Sequence, residues 1–381
     1  MTQRYDVIIA GGGPAGATAA FYLGQAGRKV LVLEKELLPR YKPCGGAVSA
    51  RVLEQFPFSF ESVIQSRVKA VSYVLGEKMV TIPVGDSSLR MVMRGEFDAF
   101  LLGHAQAEIW QGTPAKAVKE THKAVTVETL KGERIESEYL VAADGANSIL
   151  AHALGLRRQK IMAGAIEVEA SVPHETLRRF ANNPVLILGE IGNGYLWIFP
   201  KADHLSIGIG GMHPKPGELQ AALEAVMKRF GISIRAQPRS GHPIPLYNQP
   251  EQLATARCLL AGDAAGLVDP FSGEGIRFAI NSGRLAAEAI LAGHPERYTA
   301  WVDNSVGRNH RLARVLKKVF YQFPRFSFGF AMRNPAVSQG LMDMFADRIG
   351  YGRLLLKAIT TLPRFMLTKK IPLKNLAPGP R

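Results

Sequence analysis

Three glycines and a carboxylate near the start of the chain have the spacing that holds a dinucleotide. Gly11, Gly13 and Gly16 stand in GxGxxG order. In that order the first glycine permits a tight turn, the second admits a pyrophosphate to the backbone, and the third lets a helix pack closely on a sheet. Pro14, Ala15 and Gly16 would begin that helix, whose N-terminal amides and dipole favour phosphate. Glu34, 23 residues after Gly11 and followed by Lys35, offers acceptors to both hydroxyls of an adenosine ribose and disfavours a 2′-phosphate. A second group lies far down the chain, where Gly262-Asp263 closes an apolar stretch and Pro270-Phe-Ser-Gly273-Glu274-Gly275-Ile276 turns into a helix. A carboxylate ending a buried strand suits ribityl hydroxyls. Amides at a helix start suit the N1 and O2 edge of a flavin, which is anionic when reduced. Together the two groups are expected to hold both ends of one extended FAD.

The elements that must position these residues show as periodicity. Tyr5 to Ala10 is an apolar run fit for a buried parallel strand, a helical pattern follows to Gly27, and Lys29 to Leu33 make a second strand. Residues 66–92 and 162–212 alternate apolar and polar side chains between Gly and Pro turns, which predicts a separate antiparallel sheet. A helical pattern runs from Gly217 to Phe230, and the chain after residue 300 is mainly helical. The expected fold is therefore α/β: a Rossmann-type FAD-binding domain, an inserted antiparallel β-sheet substrate domain, and a helical C-terminal region. The segments assigned are 1–65, 93–160 and 250–295 to the first, 66–92 and 161–249 to the second, and 296–381 to the third.

Composition bounds the rest. A chain of 381 residues, 47% hydrophobic, buries a large core. Cys44 and Cys258 are its two cysteines, too few for a disulfide framework and without metal-ligand spacing, so no metal and a reducing compartment are expected. No P-loop or Ser/His/Asp machinery is present, and no apolar run is long enough to span a bilayer, which points to a cytoplasmic or peripheral protein. The net charge of +15 gathers at the end, where residues 306–381 carry 15 Lys or Arg against Asp343 and Asp347. Leu312, Val315, Leu316, Val319, Phe320 and Phe323 recur there at helical spacing, with Arg311, Arg314, Lys317 and Lys318 on other faces. Such helices suit peripheral contact with an anionic membrane. The same pattern fits a helical domain packed on its own core with a basic rim. Nucleic acid is not expected, since no recognition module accompanies the charge.

Four further segments occur in order: Arg40-Tyr-Lys42-Pro43-Cys44-Gly45-Gly46-Ala47, Arg94-Gly-Glu-Phe97-Asp98, Asp144-Gly145-Ala-Asn-Ser148, and Tyr195-Leu-Trp197-Ile-Phe199-Pro200 trailed by Gly208 and Gly210. Over roughly residues 5–295 the chain resembles the geranylgeranyl reductase family within the p-hydroxybenzoate hydroxylase-like flavoproteins. The resemblance implies FAD-dependent saturation of isolated double bonds in a prenyl chain, carried by a lipid, a chlorophyll precursor or a quinone. It implies electrons from NADPH or reduced ferredoxin. By the same resemblance Arg94, Cys44, Gly45, Gly46, Ala47, Asp144 and Gly145 line the cofactor site. Ala151 stands where the family usually places an arginine after the serine, which removes one support for docking a nicotinamide.

Relatives place the cysteine corresponding to Cys44 beside the flavin ring, where a thiol can protonate the alkene carbon opposite the one that receives hydride. The competing reading is a small residue chosen for packing. Tyr195, Trp197 and Phe199 fall on one face of a strand, where with Pro200 they would wall an apolar cavity while Gly208 and Gly210 clear space for a long chain. Alternatively that strand simply packs on a core. Flavin halogenases carry WxWxIP at the analogous place, and this chain departs from it at the first and fifth positions, which disfavours halogenation. The rival functions are an aromatic-ring monooxygenase on the same fold and a flavoprotein that passes electrons to membrane quinone.

Overall fold

The computed structural model describes residues 4–85, 88–233 and 238–367. The chain divides into two compact units: residues up to 42 with 94–161 and 244–311, and residues 43–93 with 162–243 and those from 312 onward.

The first unit is built on a seven-stranded sheet. Strand Arg4–Ala10 lies between Val30–Leu33 and Arg134–Ala142, parallel to both, with Ile8 opposite Leu31 and Leu140. Cys258–Leu260 joins in parallel, setting Cys258 against Leu140. Such strands are buried on both faces and therefore read as apolar runs rather than alternations. Val7, Ile8, Ile9, Leu31 and Val32 are fully buried, each side chain contributing roughly 1.5–3 kcal/mol. Helices Pro14–Gln25 and Ile276–Leu291 pack on one another so closely that a Cβ at Gly283 would stand 3.0 Å from the Ala15 carbonyl carbon. Tyr298 locks the far end of this unit, fully buried and donating its hydroxyl hydrogen to the Leu260 carbonyl at 2.7 Å.

The second unit carries a seven-stranded sheet in the order Ser240–Leu246, Ile161–Ala170, Leu205–Met212, Tyr195–Pro200, Val185–Leu188, Ala70–Leu75, Lys78–Pro83. One pair departs from the antiparallel expectation: Val185–Leu188 runs parallel to Ala70–Leu75, with Ile187 opposite Val74. No hairpin joins these strands, because the chain contributes residues 94–161 to the other unit between them, so no turn imposes an antiparallel direction.

The two faces of this sheet differ. Val168, Leu196, Ile198, Ile207 and Ile209 point to a core shared with Leu219, Leu223, Val226 and Met227 of helix Glu218–Arg229. The opposite face presents Glu167, Gly208 and Trp197 in one row across three strands, and Glu169, Ser206 and Phe199 in the next.

A three-stranded sheet of Ala47–Ser49, Leu89–Val92 and Ile64–Arg67 pairs Ala47 with Met91. That pairing places residues 43–65 with the second unit, apart from the nucleotide-binding segment in which the sequence had suggested them. Helices Pro324–Arg333, Pro335–Phe345 and Tyr351–Leu367 also belong to it, tied by bonds such as Arg348 Nη2 to Ser88 Oγ at 2.8 Å, so the helical region is no separate body. Residues 368–381, with four of the tail's basic side chains (Lys369, Lys370, Lys374 and Arg381), lie outside the described residues.

Candidate active site

In the first unit the turn after strand Arg4–Ala10 is shaped by what cannot fit in it. Gly11 has φ +103°, and a Cβ at Gly16 would strike the Gly11 carbonyl. Helix Pro14–Gln25 starts at Gly13 with no side chain capping it, although Pro14, Ala15 and Gly16 are buried. A buried helix start without a cap leaves backbone donors for an anion. Two guanidinium groups stand over this turn. A Cβ built on Gly13 would be 3.7 Å from Arg40 Nη2 and 3.9 Å from Arg94 Nη2. Arg94 is held by a two-pronged bond to Asp98, 2.8 Å at each oxygen, and Arg40 Nη2 lies 3.0 Å from Asp98 Oδ2. Arg40 Nη1 is buried without a hydrogen-bond partner, an orphaned donor at the place where a pyrophosphate would sit. These residues fit the dinucleotide that the glycine spacing implies.

Glu34 is 2% exposed. Its Oε2 accepts from the Gly12 amide at 2.6 Å and its Oε1 from the Glu36 amide at 3.0 Å, which fixes the carboxylate while leaving lone pairs on both oxygens. Lys35 beside it is exposed. Asp144 lies next to Gly11 but uses its oxygens locally, accepting from Ser148 Oγ at 2.6 Å and from the Ile149 and Leu150 amides at 3.1 and 3.4 Å. Burial raises its carboxyl above the ordinary aspartate range, with those bonds opposing. Gly145 follows at φ +87°.

Asp263 stands on a short helical turn, Gly262–Ala265, because the strand stops at Leu260. The turn is fixed from outside its own sequence. Arg157, nearly fully buried, donates from Nη1 to the carbonyls of Asp263 and Ala264 at 2.9 and 3.3 Å, and Lys42 Nζ lies 3.5 Å from Asp263 Oδ2. Burial pulls the Arg157 guanidinium down, and Glu251 and Asp263 partly restore it. The loop after Asp269 supplies fewer donors than its sequence promised. The Phe271 and Ser272 amides both bond Asp269 Oδ1 at 2.8 Å and the Gly273 amide bonds the Asp269 carbonyl at 3.0 Å. Glu274 is paired with Arg277 at 2.7 Å and Pro270 is buried, so the uncapped start of helix Ile276–Leu291 at Gly275 is what remains for an anion.

In the second unit the Cys44–Gly46 loop lies on the aromatic face of strand Tyr195–Pro200. A Cβ on Gly45 would sit 2.7 Å from Phe199 Cδ2 and 3.2 Å from Trp197 Nε1. Gly46, at φ +68°, would press one into Lys201 Nζ at 2.8 Å. Two buried charges clamp the loop. Glu167 Oε1 accepts from the Cys44 amide at 2.9 Å, and Lys201 Nζ donates to the carbonyls of Gly45 and Val92 at 2.7 and 2.9 Å. Trp197 is 8% exposed, and its Nε1 hydrogen is buried without a partner. Its indole fills the space that Gly208 leaves, since a Cβ there would stand 2.6 Å from two ring carbons. Gly208 therefore seats Trp197 and clears no channel of its own. Gly210 is paired with Tyr195 across the strands, and Pro200 closes the row at Leu205.

Glu167, Lys201, Arg40, Lys42, Asp98 and Arg157 were not assigned functions from the sequence. Period two along Ile161–Ala170 was the available signal for Glu167 and Glu169, two acids on one face of an otherwise apolar strand. Cys258 is fully buried, and burial pushes its thiol far up, consistent with inert core.

Residues 4–203 match the family described as FAD binding domain. Geranylgeranyl diphosphate reductase of Oryza sativa subsp. japonica is 30% identical over 91% of this chain and 79% of its own length. Menaquinone reductase of Mycolicibacterium smegmatis is 29% identical over 86% of this chain and 87% of its own. Among solved structures, a geranylgeranyl bacteriochlorophyll reductase-like protein from Thermoplasma acidophilum superposes with a TM-score of 0.79 at 22% identity, covering 96% of this chain and 99% of that one. A flavin-dependent brominase gives 0.75 at 20% identity over 95% of this chain and 100% of its own, which is likeness of fold.

Proposed function

The chain belongs to the geranylgeranyl reductase family of FAD-dependent oxidoreductases, and on that premise we propose that it saturates isolated double bonds in a prenyl chain, with Cys44 as proton donor. The observation that carries this reading is the thiol-bearing loop clamped onto an aromatic strand face by the buried Glu167 and Lys201. The rings of Trp197 and Phe199 beside that loop suit an alkene better than a polar phenol. FAD, when bound, supplies hydride from its reduced ring.

Arg40, Arg94 and the amides from Gly13 onward hold the pyrophosphate, and Glu34 orients the adenosine ribose. Asp263 and the helix start at Gly275–Ile276 take the flavin end. Tyr195, Trp197 and Phe199, with Pro200 and Gly210, line the path of the chain. An unactivated alkene accepts hydride poorly, so these side chains must also position it and keep water away. The menaquinone reductase relative favours a quinone-borne chain as a second substrate class beside a prenyl diphosphate. NADPH or reduced ferredoxin delivers the electrons.

Peripheral membrane contact is supported by the last helices, where Val315, Val319, Phe323, Phe326, Leu356 and Ile359 are exposed among basic side chains. Among the described residues no helix is long and apolar enough to cross a membrane.

Mass spectrometry of lipid extracted from the purified, flavin-loaded protein tests the substrate class. A prenyl chain, partly saturated, is expected. An extract holding only ordinary acyl lipids would contradict it.

A further inference from the structure

Asp269 and His310 are fully buried in the first unit, and each keeps one polar atom without a hydrogen-bond partner. His310 stands in the first turn of helix Arg308–Gln322, after a π-helical turn at Asp303–Gly307, a feature that recurs at functional sites. Its Nε2 lies 2.9 Å from the Leu267 carbonyl oxygen. A carbonyl only accepts, so Nε2 keeps its hydrogen in every charge state of the ring. In the neutral ring Nδ1 is then a bare acceptor, and what faces it, at 3.8 Å, is Asp269 Oδ2. Asp269 is held in that position, because its other oxygen accepts from the Phe271 and Ser272 amides at 2.8 Å each. Two buried acceptors therefore meet with no donor between them, and a single proton would satisfy both.

The pair stands behind the turn assigned to the flavin end. The Asp269 amide donates to the Glu274 carbonyl at 2.9 Å, and the Gly273 amide donates to the Asp269 carbonyl at 3.0 Å. The His310 ring packs edge-on against Phe278, 4.3 Å between centroids, in the first turn of helix Ile276–Leu291, and against Tyr247 at 5.3 Å. The charged groups around it are matched elsewhere: Arg277 lies 2.7 Å from Glu274, and Arg311 bonds Asp303 and the Tyr247 hydroxyl. Burial holds His310 below the ordinary histidine range; Asp269 and the Leu267 carbonyl oppose it, and Arg277 adds to it. The ring is thus neutral near neutral pH before any charge arrives. A cleft lined by Tyr247, Leu267, Asp303 and Gly307 reaches the ring's own neighbours.

We propose that His310 and Asp269 take up one proton for each electron pair that enters the flavin and release it when the pair departs as hydride. The inference rests on the flavin end lying at the helix start Gly275–Ile276, and not on the alkene chemistry. An electron pair and one proton leave a flavin with a negative charge. Placed near the buried Asp269 carboxylate, that charge draws a second proton from solvent onto His310 Nδ1. The new N–H points at Asp269 Oδ2, and the gap closes to hydrogen-bond length. The electrons stay on the flavin, and neither side chain is oxidised or reduced. His310 is a positioning residue that acts through its charge and through the Asp269 turn.

Reductive titration of the FAD-loaded full chain against reference dyes gives the midpoint potential, whose slope with pH counts protons per electron pair. Between about pH 7 and about pH 8, wild type is expected to take up about one proton more than His310→Gln or Asp269→Asn. In Asp269→Asn the side-chain amide can donate to Nδ1 while its oxygen keeps both backbone bonds, so the turn is retained without the proton. Equal counts in all three proteins overturn the proton site. Magnetic resonance of the isotope-labelled His310 ring, identified by its absence from His310→Gln, observes the wild type itself. At about pH 7 the ring is expected to be neutral with oxidised flavin and charged after dithionite, and a ring that keeps one charge state throughout overturns the proposal. Gly275→Asp tests the placement separately, because a carboxylate at the helix start should repel the reduced flavin and lower the midpoint potential. A wild-type potential there removes the flavin from this helix start, and the proton site falls with it. A lowered potential with equal proton counts overturns the proton site alone.

Discussion

Replacing Gly208 by alanine probes the seat of Trp197 directly. The added methyl would lie 2.6 Å from indole Cε2 and Cη2, whereas carbon atoms rest at about 3.5–4.0 Å. The ring is 8% exposed and bounded on its other side by Gly45, so it cannot withdraw without pushing the Cys44 loop off the strand. Overpacking of this kind costs about 1–3 kcal/mol. With a urea dependence of about 2–3 kcal/mol per molar, the midpoint should fall by roughly 0.3–1.5 M. Gly329→Ala is the control: it sits within helix Pro324–Arg333 with nothing within 4 Å, and it should stabilise by about 0.5–1 kcal/mol. Urea unfolding followed by circular dichroism measures both variants. A Gly208→Ala midpoint equal to wild type would refute the packing of the indole over Gly208.

Three other outcomes are expected. Arg40→Ala should weaken FAD binding by about 1.5–3 kcal/mol, the range for hydrogen bonds to charged groups, and flavin fluorescence titration of the apoprotein reads it; unchanged affinity removes Arg40 from the phosphate site. His204 is raised above 6.5 in the folded protein, so its stabilisation is complete below that value and is lost as pH rises through the folded value. Comparing urea midpoints of wild type and His204→Gln from about pH 5 to about pH 9 should show a wild-type advantage that shrinks with rising pH, and a constant difference contradicts it. Phe323→Glu with Phe326→Glu should reduce flotation with acidic liposomes while leaving the flavin spectrum intact, and equal flotation argues against membrane contact through these helices.

The dinucleotide turn was legible because its parts are local: glycine spacing, a flanking strand and an acid all fall within Tyr5 to Glu34. The aromatic face was legible for the same reason, since alternation along Tyr195–Pro200 needs no partner strand. What the sequence hid depends on register between distant strands. Glu167 reaches the Cys44 loop only because it falls in the row of Gly208 and Trp197, through a pairing of Ile161–Ala170 with Leu205–Met212 that no hairpin sets and no single stretch reveals. The purpose of Gly208 was inverted for that reason, from space for a ligand to space for a neighbouring indole. Arg40 and Asp98 meet through folding across 58 residues, and Lys201 follows the recognised motif by one position with nothing in its neighbours to mark it as buried.

The most direct test is a single turnover without oxygen: FAD-loaded protein, reduced by one equivalent of dithionite, is mixed with geranylgeranyl diphosphate in heavy water. The flavin should reoxidise, and the product should gain two hydrogens, both of them solvent deuterium, since dithionite supplies electrons alone and the N5 hydrogen of reduced flavin exchanges with solvent. Cys44→Ser should slow this step at least about tenfold. Flavin that stays reduced with wild-type protein, or Cys44→Ser that matches wild type, would contradict alkene reduction with Cys44 as the acid.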